Sequence, residues 1–282
     1  MFEFKEDSII KDIDFTTKVG LNKTLESFEF NIIKKEDNYL EFDIKNCHTS
    51  VVNTLRRIIL TEIPTIAFHL VTITENNTIF TDEYLAHRIG LILIRKLSDE
   101  VEISNLKYNL KCFNDTNKNM NVYSNSIYGD DRIEIKRNVL IAKLAPGNSI
   151  NMTIQLATGI GKDHAKWSPV SMCTFRLMPK IEIFKEFRDE DAIELQKLFS
   201  PGVIGIKNSI AYVENPRLEM MSREFLRYEK FSKHIKLSRE NLWYTFTIET
   251  INEDPLILLN KSLEIFKEKA NNLKERLNEE LI

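Results

Sequence analysis

The chain has 282 residues, 43% hydrophobic and 29% charged, enough to bury the core of one large domain or of two smaller ones. Its formal net charge of −3 argues against a protein that mainly coats nucleic acid, because such proteins are usually clearly basic. The N-terminus lacks the apolar stretch of a signal peptide, and no apolar run reaches the roughly 20 residues that cross a bilayer. We therefore expect a soluble, intracellular protein with no membrane contact.

The cysteine content argues against both disulfides and a zinc site. Cys47, Cys112 and Cys173 are odd in number and far apart, which suits a reducing compartment. No C-x-x-C pair is present, so we expect no zinc site and no other cofactor.

The first predicted elements are a β-hairpin and a helix. Residues Phe28 to Ile33 and Tyr39 to Ile44 alternate apolar and polar side chains across a charged turn. A helix then opens at Thr49 or Ser50, either of which can cap free backbone N–H groups, and Pro64 ends it. Its apolar residues recur at helical spacing: Val51, Val52, Leu55, Ile58 and Ile59.

The middle of the chain predicts mixed structure that is mostly β. A strand and turn cover 66–80, and a short helix begins at Thr81. The region from about 100 to 185 is predicted to be mostly strands, followed by a helix over Asp191 to Phe199. A fourth helix is predicted over Ser222 to Lys233. Together these elements indicate an α+β fold.

The C-terminus carries the most informative pattern. A predicted strand over Leu242 to Ile248 precedes Asp254-Pro255, which is a helix-start signature. The apolar residues that follow are spaced alternately by three and four, over a helix of roughly 35 Å. Such a helix either packs only on its own sheet or also meets a helix from another chain. The heptad residues are Leu256, Leu259, Leu263, Phe266, Ala270, Leu273 and Leu277.

A search for catalytic chemistry finds no supported site. Asp163-His164 with nearby Ser168 suggests a triad, but G-x-S-x-G is missing and adjacent residues rarely serve one nucleophile together. The glycines of 159–162 match neither the Walker nor the dinucleotide-binding pattern. Arg56-Arg57 could contact phosphate, although two basic residues on a helix are more often solvated or paired with acids. We predict no catalytic, cofactor-binding or metal-binding residues.

Four blocks in the same order resemble the α and α-like subunits of RNA polymerase. Residues 53–64 (N-T-L-R-R-I-I-L-T-E-I-P) resemble the first-helix motif of that family, and 82–91 (D-E-Y-L-A-H-R-I-G-L) resemble a motif of its larger eukaryotic and archaeal members. Residues 142–147 and 161–170 are similar to two further blocks. The resemblance covers about residues 28 to 280, and the chain departs from it at Leu93, where the family usually has proline.

Within the family, the chain resembles the α-like subunit shared by RNA polymerases I and III. Residues 175–179, 201–206 and 222–229 carry that likeness. The cysteines of the zinc loop of the polymerase II counterpart, and those of the iron–sulfur insert of some archaeal members, are missing. The resemblance therefore implies neither zinc nor an iron–sulfur cluster.

The resemblance implies a discontinuous dimerisation domain, a small sheet plus two long helices, interrupted by an inserted, mostly β domain. The N-terminal extension would cover 1–26, the first part of the dimerisation domain 27–66, the inserted domain 67–232, and the second part 233–282. The two helices would pair with those of a small α-like subunit. Arg56 and Arg57 would face a large catalytic subunit. The resemblance implies two such partners, the largest and the second-largest polymerase subunits.

The function implied is that of a non-catalytic scaffold in the nucleus, including the nucleolus, with no direct nucleic-acid contact. The partner-interface residues would be Val52, Leu55, Arg56, Arg57, Ile59, Leu259, Leu263, Phe266, Ala270, Leu273 and Leu277. The residues with a structural role in the family motifs would be Asp82, Glu83, His87, Arg88, Asp163, His164 and Lys166.

Three alternatives stay open at the level of sequence. The chain could be an α-like subunit of polymerase II or of an archaeal or viral polymerase. It could instead be a nucleic-acid-binding transcription regulator that uses Arg56, Arg57 and the lysines of the last helix, although its charge weighs against this. An enzyme would depend on Asp163, His164 and Ser168.

Overall fold

The computed structural model describes residues 2–5, 8–11, 27–97, 102–103 and 106–280. It contains helices and antiparallel sheets, which confirms the predicted α+β class. The chain forms two compact units, each assembled from separate stretches of sequence. The described residues of the first unit fall within 1–32, 42–49 and 176–245, and those of the second fall within 33–41, 50–175 and 246–280.

Five α-helices are present in the described part of the chain. The helices α1, α2, α3 and α5 match predicted elements. The bounds of α5 agree with a cap at Asp254, whose carboxylate accepts from the Leu256 N–H at 2.7 Å. Their bounds are Thr49–Thr61 (α1), Asp82–Gly90 (α2), Asp189–Leu198 (α3), Glu229–Ser232 (α4) and Pro255–Glu280 (α5).

The strands are numbered in chain order. Those of the first 100 residues are Phe2–Lys5 (β1), Ser8–Lys11 (β2), Glu29–Glu36 (β3), Tyr39–Lys45 (β4), Thr65–Asn76 (β5) and Ile94–Lys96 (β6). The next are Lys107–Phe113 (β7), Met120–Tyr123 (β8), Ile127–Tyr128 (β9), Ile133–Ile135 (β10), Leu140–Leu144 (β11) and Ser149–Gly159 (β12). The last are Val170–Ile183 (β13), Ile204–Lys207 (β14), Ile210–Val213 (β15) and Ile235–Thr250 (β16).

Two four-stranded sheets organise these strands. One has the order β5-β12-β7-β9, and the other has the order β13-β16-β4-β3. The predicted hairpin is confirmed as β3 and β4, which are neighbours in the second sheet. The four remaining sheets each pair two strands: β1 with β2, β6 with β10, β8 with β11, and β14 with β15.

The second unit is built on the sheet that contains β5 and β12. Strand β12 alternates buried and half-buried side chains, because its residues at even positions point into the core. Helix α2 contributes Leu85 and Ile89 to the same core. A fully buried Tyr108 donates a hydrogen bond to the backbone of Asp130 at 2.9 Å, so the one polar atom of this large side chain has a partner.

The first unit has a smaller core around α3, β14 and β15. Phe187 and Phe231 pack edge-to-face with ring centroids 5.1 Å apart, and Phe199 stacks on Phe225 at 5.3 Å. The predicted helix over Ser222 to Lys233 is wrong as a single element. Arg223 is left-handed, and Tyr228 is extended, so the segment divides into a 3-10 turn at Glu224–Arg227 and the short α4.

The compact units do not follow the predicted domain bounds. The predicted inserted region 67–232 contributes 67–175 to the second unit and 176–232 to the first. Compactness within one chain does not define which part pairs with a partner. The division into a dimerisation domain and an inserted domain therefore stays a prediction.

Candidate subunit interface

Helix α1 buries one face in its own chain. Val52, Leu55 and Ile59 are all buried, together with Ile58, as the helical spacing predicted. The Cys173 thiol lies 3.8 Å from the backbone oxygen of Arg56, so this helix packs against β13. Side chains that are already buried offer almost no surface to another protein. Val52, Leu55 and Ile59 are therefore not part of the interface that we propose.

The paired arginines of α1 point about 100° apart, Arg57 away from the buried face and Arg56 at its flank. Arg56 is half-buried and donates from Nε and Nη2 to the Asn53 side-chain oxygen at 3.2 and 3.1 Å. Arg57 is exposed, and its guanidinium has no ion pair with any described residue. An exposed, uncommitted guanidinium is suited to bidentate pairing with a carboxylate of another protein.

The first three turns of α5 pack on their own unit. Leu258 and Ser262 are fully buried and Leu259 nearly so, and the Ser262 hydroxyl donates to the Leu259 carbonyl at 2.6 Å. The buried face therefore runs through Leu258 and Ser262, which the heptad reading omitted, as well as through Leu259. Leu256 is half-buried at the start of the helix.

The remainder of α5 exposes its apolar side chains. Leu263 is 47% exposed, Leu273 60% and Leu277 50%, with Ala270 also exposed and Phe266 half-buried. These five residues, which we call the apolar stripe, recur at steps of three and four and so lie on one helix face. A 26-residue helix is about 39 Å long, and its last three turns extend past the part that its own unit buries.

A groove of about 490 Å³ runs beside the stripe between α5 and α1. Thr54 supplies the wall on α1. The wall on α5 is formed by Phe266, Lys269, Ala270, Asn272, Leu273 and Arg276. The Lys269 ammonium bonds both carboxylate oxygens of Glu62, just past α1, at 2.6 and 2.9 Å. This ion pair ties the two helices together at the edge of the groove.

The motif at α2 is held by contacts within the chain. Thr81 caps the helix by accepting from the Tyr84 N–H, and Asp82 accepts from the Asn76 amide at 2.7 Å. Arg88 donates to the backbone oxygen of Leu140 in β11. Glu83 and His87 are exposed on the outer side of the helix.

The loop at residues 160–168 contacts the end of α1 on one side and β5 on the other. A side chain on Gly161 would collide with the Leu60 carbonyl at 2.4 Å, and the Lys162 N–H donates to Thr61 at 3.0 Å, so the loop lies against the end of α1. On its other side Lys166 donates to the Phe68 carbonyl at 2.9 Å and contacts His69 at 3.1 Å. Burial lowers the pKa of the Lys166 ammonium.

The triad candidates point elsewhere. The ring Nδ1 of His164 accepts from the backbone N–H of Lys166 at 3.0 Å, which caps a 3-10 turn. The Ser168 hydroxyl donates to the Val170 carbonyl at 3.1 Å, and Asp163 is exposed. The described contacts include no hydrogen bond between Ser168 and His164, so this cluster lacks the nucleophile–base pair that a triad needs.

A buried ionic network was missed by the sequence analysis. The guanidinium of Arg217 donates hydrogen bonds to both carboxylate oxygens of buried Asp43, at 3.0 and 2.6 Å. Trp243 and Thr245 donate to the same carboxylate at 2.9 and 3.2 Å. Burial alone raises the pKa of Asp43, but the bonds from Arg217, Trp243 and Thr245 together outweigh it and lower that pKa below 3.8. No sequence pattern links positions 43 and 217.

Within the ranges given above, no group of three or more His, Cys, Asp or Glu side chains could hold a metal ion. None of the helices in those ranges is long and apolar enough to cross a membrane.

A helix pair that leaves an apolar stripe beside a groove is typical of proteins that associate through helices. The sequence profile of the RNA polymerase Rpb3/Rpb11 dimerisation domain matches residues 41–270. The chain therefore belongs to this family of RNA polymerase subunits, as its motifs suggested.

Curated relatives agree with this membership over most of their length. The chain is 33% identical to the Saccharomyces cerevisiae DNA-directed RNA polymerases I and III subunit RPAC1, over 93% of this chain and 91% of the relative. It is also 33% identical to the Homo sapiens subunit of the same name, over 89% and 85%. Identity to the Arabidopsis thaliana DNA-directed RNA polymerases II, IV and V subunit 3 is 25%, over 86% and 89%.

Proposed function

We propose that this chain is a non-catalytic assembly subunit of DNA-directed RNA polymerases I and III that pairs with a small α-like subunit. The observation that carries the proposal is the apolar stripe on α5, exposed beside a groove in a chain of the Rpb3/Rpb11 family. Exposed large apolar side chains in one row favour a permanent partner, because covering them removes apolar surface from water.

The relatives support this choice of polymerases over polymerase II. The yeast and human polymerase I and III subunits are 33% identical to the chain, whereas the Arabidopsis relative named for polymerases II, IV and V is 25% identical. Assembly with these polymerases implies the nucleus, including the nucleolus, as the site of action. The proposal includes no cofactor in this chain and no direct contact with nucleic acid.

The paired arginines supply a second contact in this proposal. Arg57 is exposed on α1 and would face a carboxylate of the second-largest or largest polymerase subunit. Arg56, held by Asn53, would support it from the same helix. The motif residues of α2 and the loop after β12 have a structural role, since Asp82, Arg88 and Lys166 bond within the chain.

The test is affinity purification of the tagged full chain from its own cells, with mass spectrometry of the proteins recovered. We expect a small α-like subunit and the large subunits of polymerases I and III. With Leu263→Glu, the small subunit should no longer be recovered, because the substitution places a charge in a stripe that the partner would cover and desolvate. Asn271→Glu adds the same charge at a position of α5 that belongs neither to the stripe nor to the groove lining, and it should leave recovery unchanged.

Arg57→Ala in the same purification should retain the small subunit and reduce recovery of a large one. Normal recovery of all subunits with Leu263→Glu would contradict the proposed pairing surface. Recovery of the wild-type chain alone, soluble and monodisperse, would overturn the assembly function itself.

A further inference from the structure

The groove beside α5 has the geometry of a helix-packing site. A side chain of one helix inserts into a hole formed by four residues of the facing helix, at positions i, i+3, i+4 and i+7. Phe266, Lys269, Ala270 and Leu273 form one such hole, and a second begins three residues later. That second hole is formed by Lys269, Asn272, Leu273 and Arg276, and the two holes together account for every α5 residue that lines the groove.

The two holes differ in chemistry. Three of the four residues of the first hole are apolar, and the smallest side chain of the stripe, Ala270, lies between Phe266 and Leu273. The second is bordered by Lys269, Asn272 and Arg276. Lys269 already bonds Glu62, whereas Arg276 has no ion pair with the described residues up to Glu279. The second hole therefore suits an acidic side chain.

We propose that Ala270 determines which helix this chain accepts, because its small side chain opens the first hole to one large apolar side chain of the partner. The partner helix carries a carboxylate three or four residues from that side chain, and the carboxylate meets Arg276 in the second hole. This inference rests on the proposed function and adds to it a definition of the partner's contact residues.

The size of the groove agrees with this occupant. The groove measures about 490 Å³ and is open to solvent, so a side chain of a partner helix can enter it. Interaxial distances of packed helices vary over roughly 8–10 Å with the side chains at the contact, and alanine permits the closer approach. A second copy of this chain fits less well, since two-fold pairing would bring the Arg276 side chains of both copies into one interface.

The experiment measures the affinity of the full chain for the co-expressed, purified small α-like subunit. Ala270→Leu should weaken binding by about 10- to 100-fold, because it fills the first hole and overpacks the contact. Ala270→Ser keeps a small side chain and should bind within about threefold of the wild type. Leucine is a good helix former, so the exposed helix should fold in both variants, as circular dichroism would show.

The outcomes separate this inference from the proposed function. If Ala270→Leu binds like the wild type while Leu263→Glu does not bind, the size limit is wrong and the pairing surface stands. If both variants bind normally, the pairing surface is wrong as well. Dimerisation of the wild-type chain alone, lost in Ala270→Leu, would identify a second copy as the occupant and overturn the choice of partner.

The charge of the second hole has its own readout. Arg276→Glu should weaken binding by about tenfold at low salt, and less at high salt, because salt screens the exposed pair. Equal binding of Arg276→Glu at both salt concentrations would rule out the carboxylate in the partner helix.

Discussion

The Asp43 network and the outer part of α5 differ in whether their side chains find partners within the chain. The buried carboxylate of Asp43 accepts hydrogen bonds from Arg217, Trp243 and Thr245, so its charge is compensated within its own chain. On α5 the side chains of Leu263, Leu273 and Leu277 remain in water. The first region therefore contributes to folding, whereas the second is the surface that we propose for association. Substitutions in the two regions should therefore change different measured quantities.

The largest expected effect on stability comes from Asp43→Asn. It removes the buried carboxylate that accepts hydrogen bonds from Arg217, Trp243 and Thr245. Each hydrogen bond to a charged group contributes about 1.5–3 kcal/mol, and we expect the free energy of unfolding to fall by about 3–5 kcal/mol. Urea unfolding of the full chain, followed by tryptophan fluorescence, measures this. Glu224→Gln breaks an exposed carboxylate–arginine pair with Arg227 in the same unit and should cost less than about 1 kcal/mol. Equal effects of the two variants would contradict the structural role of the network.

At acid pH, the free energies of unfolding of the wild type and of Asp43→Asn should differ by less than they do at neutral pH. The folded-state pKa of Asp43 is lowered below 3.8 because the bonds from Arg217, Trp243 and Thr245 outweigh the effect of burial. Its contribution to stability is therefore complete above pH 3.8 and is lost as the pH falls through that value to the folded pKa. Urea unfolding of both proteins at pH 7, 5 and 3.5 tests this. A constant difference across the series would show that Asp43 is not the titrating group.

The same contrast separates what the sequence could predict from what it could not. The β3–β4 hairpin and the bounds of α5 follow from local alternation, from Pro255 and from three–four spacing, all readable within a few residues. The helix predicted over Ser222 to Lys233 failed because Arg223 adopts a left-handed conformation, which depends on its surroundings. The pairing of Asp43 with Arg217 joins positions 174 residues apart, and local periodicity carries no information at that distance.

The candidate interface shows the same limit at finer scale. Spacing placed Leu259, Leu263 and Leu273 on one helix face, but all three positions look alike in sequence. Which of them is buried depends on where the unit ends beneath α5, and this is a tertiary property. The fully buried Leu258 was missed because it lies outside the three–four series, about 100° around the helix from Leu259, on the side that packs on the unit.

The smallest expected effect on stability comes from Leu273→Glu. Leu273 is exposed on a helix turn that its own unit does not cover, so the free energy of unfolding should change by less than about 0.5 kcal/mol. Leu258→Ala, in the buried part of the same helix, should cost about 2–5 kcal/mol. Urea unfolding of the two variants measures both. If Leu273→Glu were as destabilising as Leu258→Ala, the outer turns of α5 would be packed within the chain, and the stripe would have no surface left for a partner.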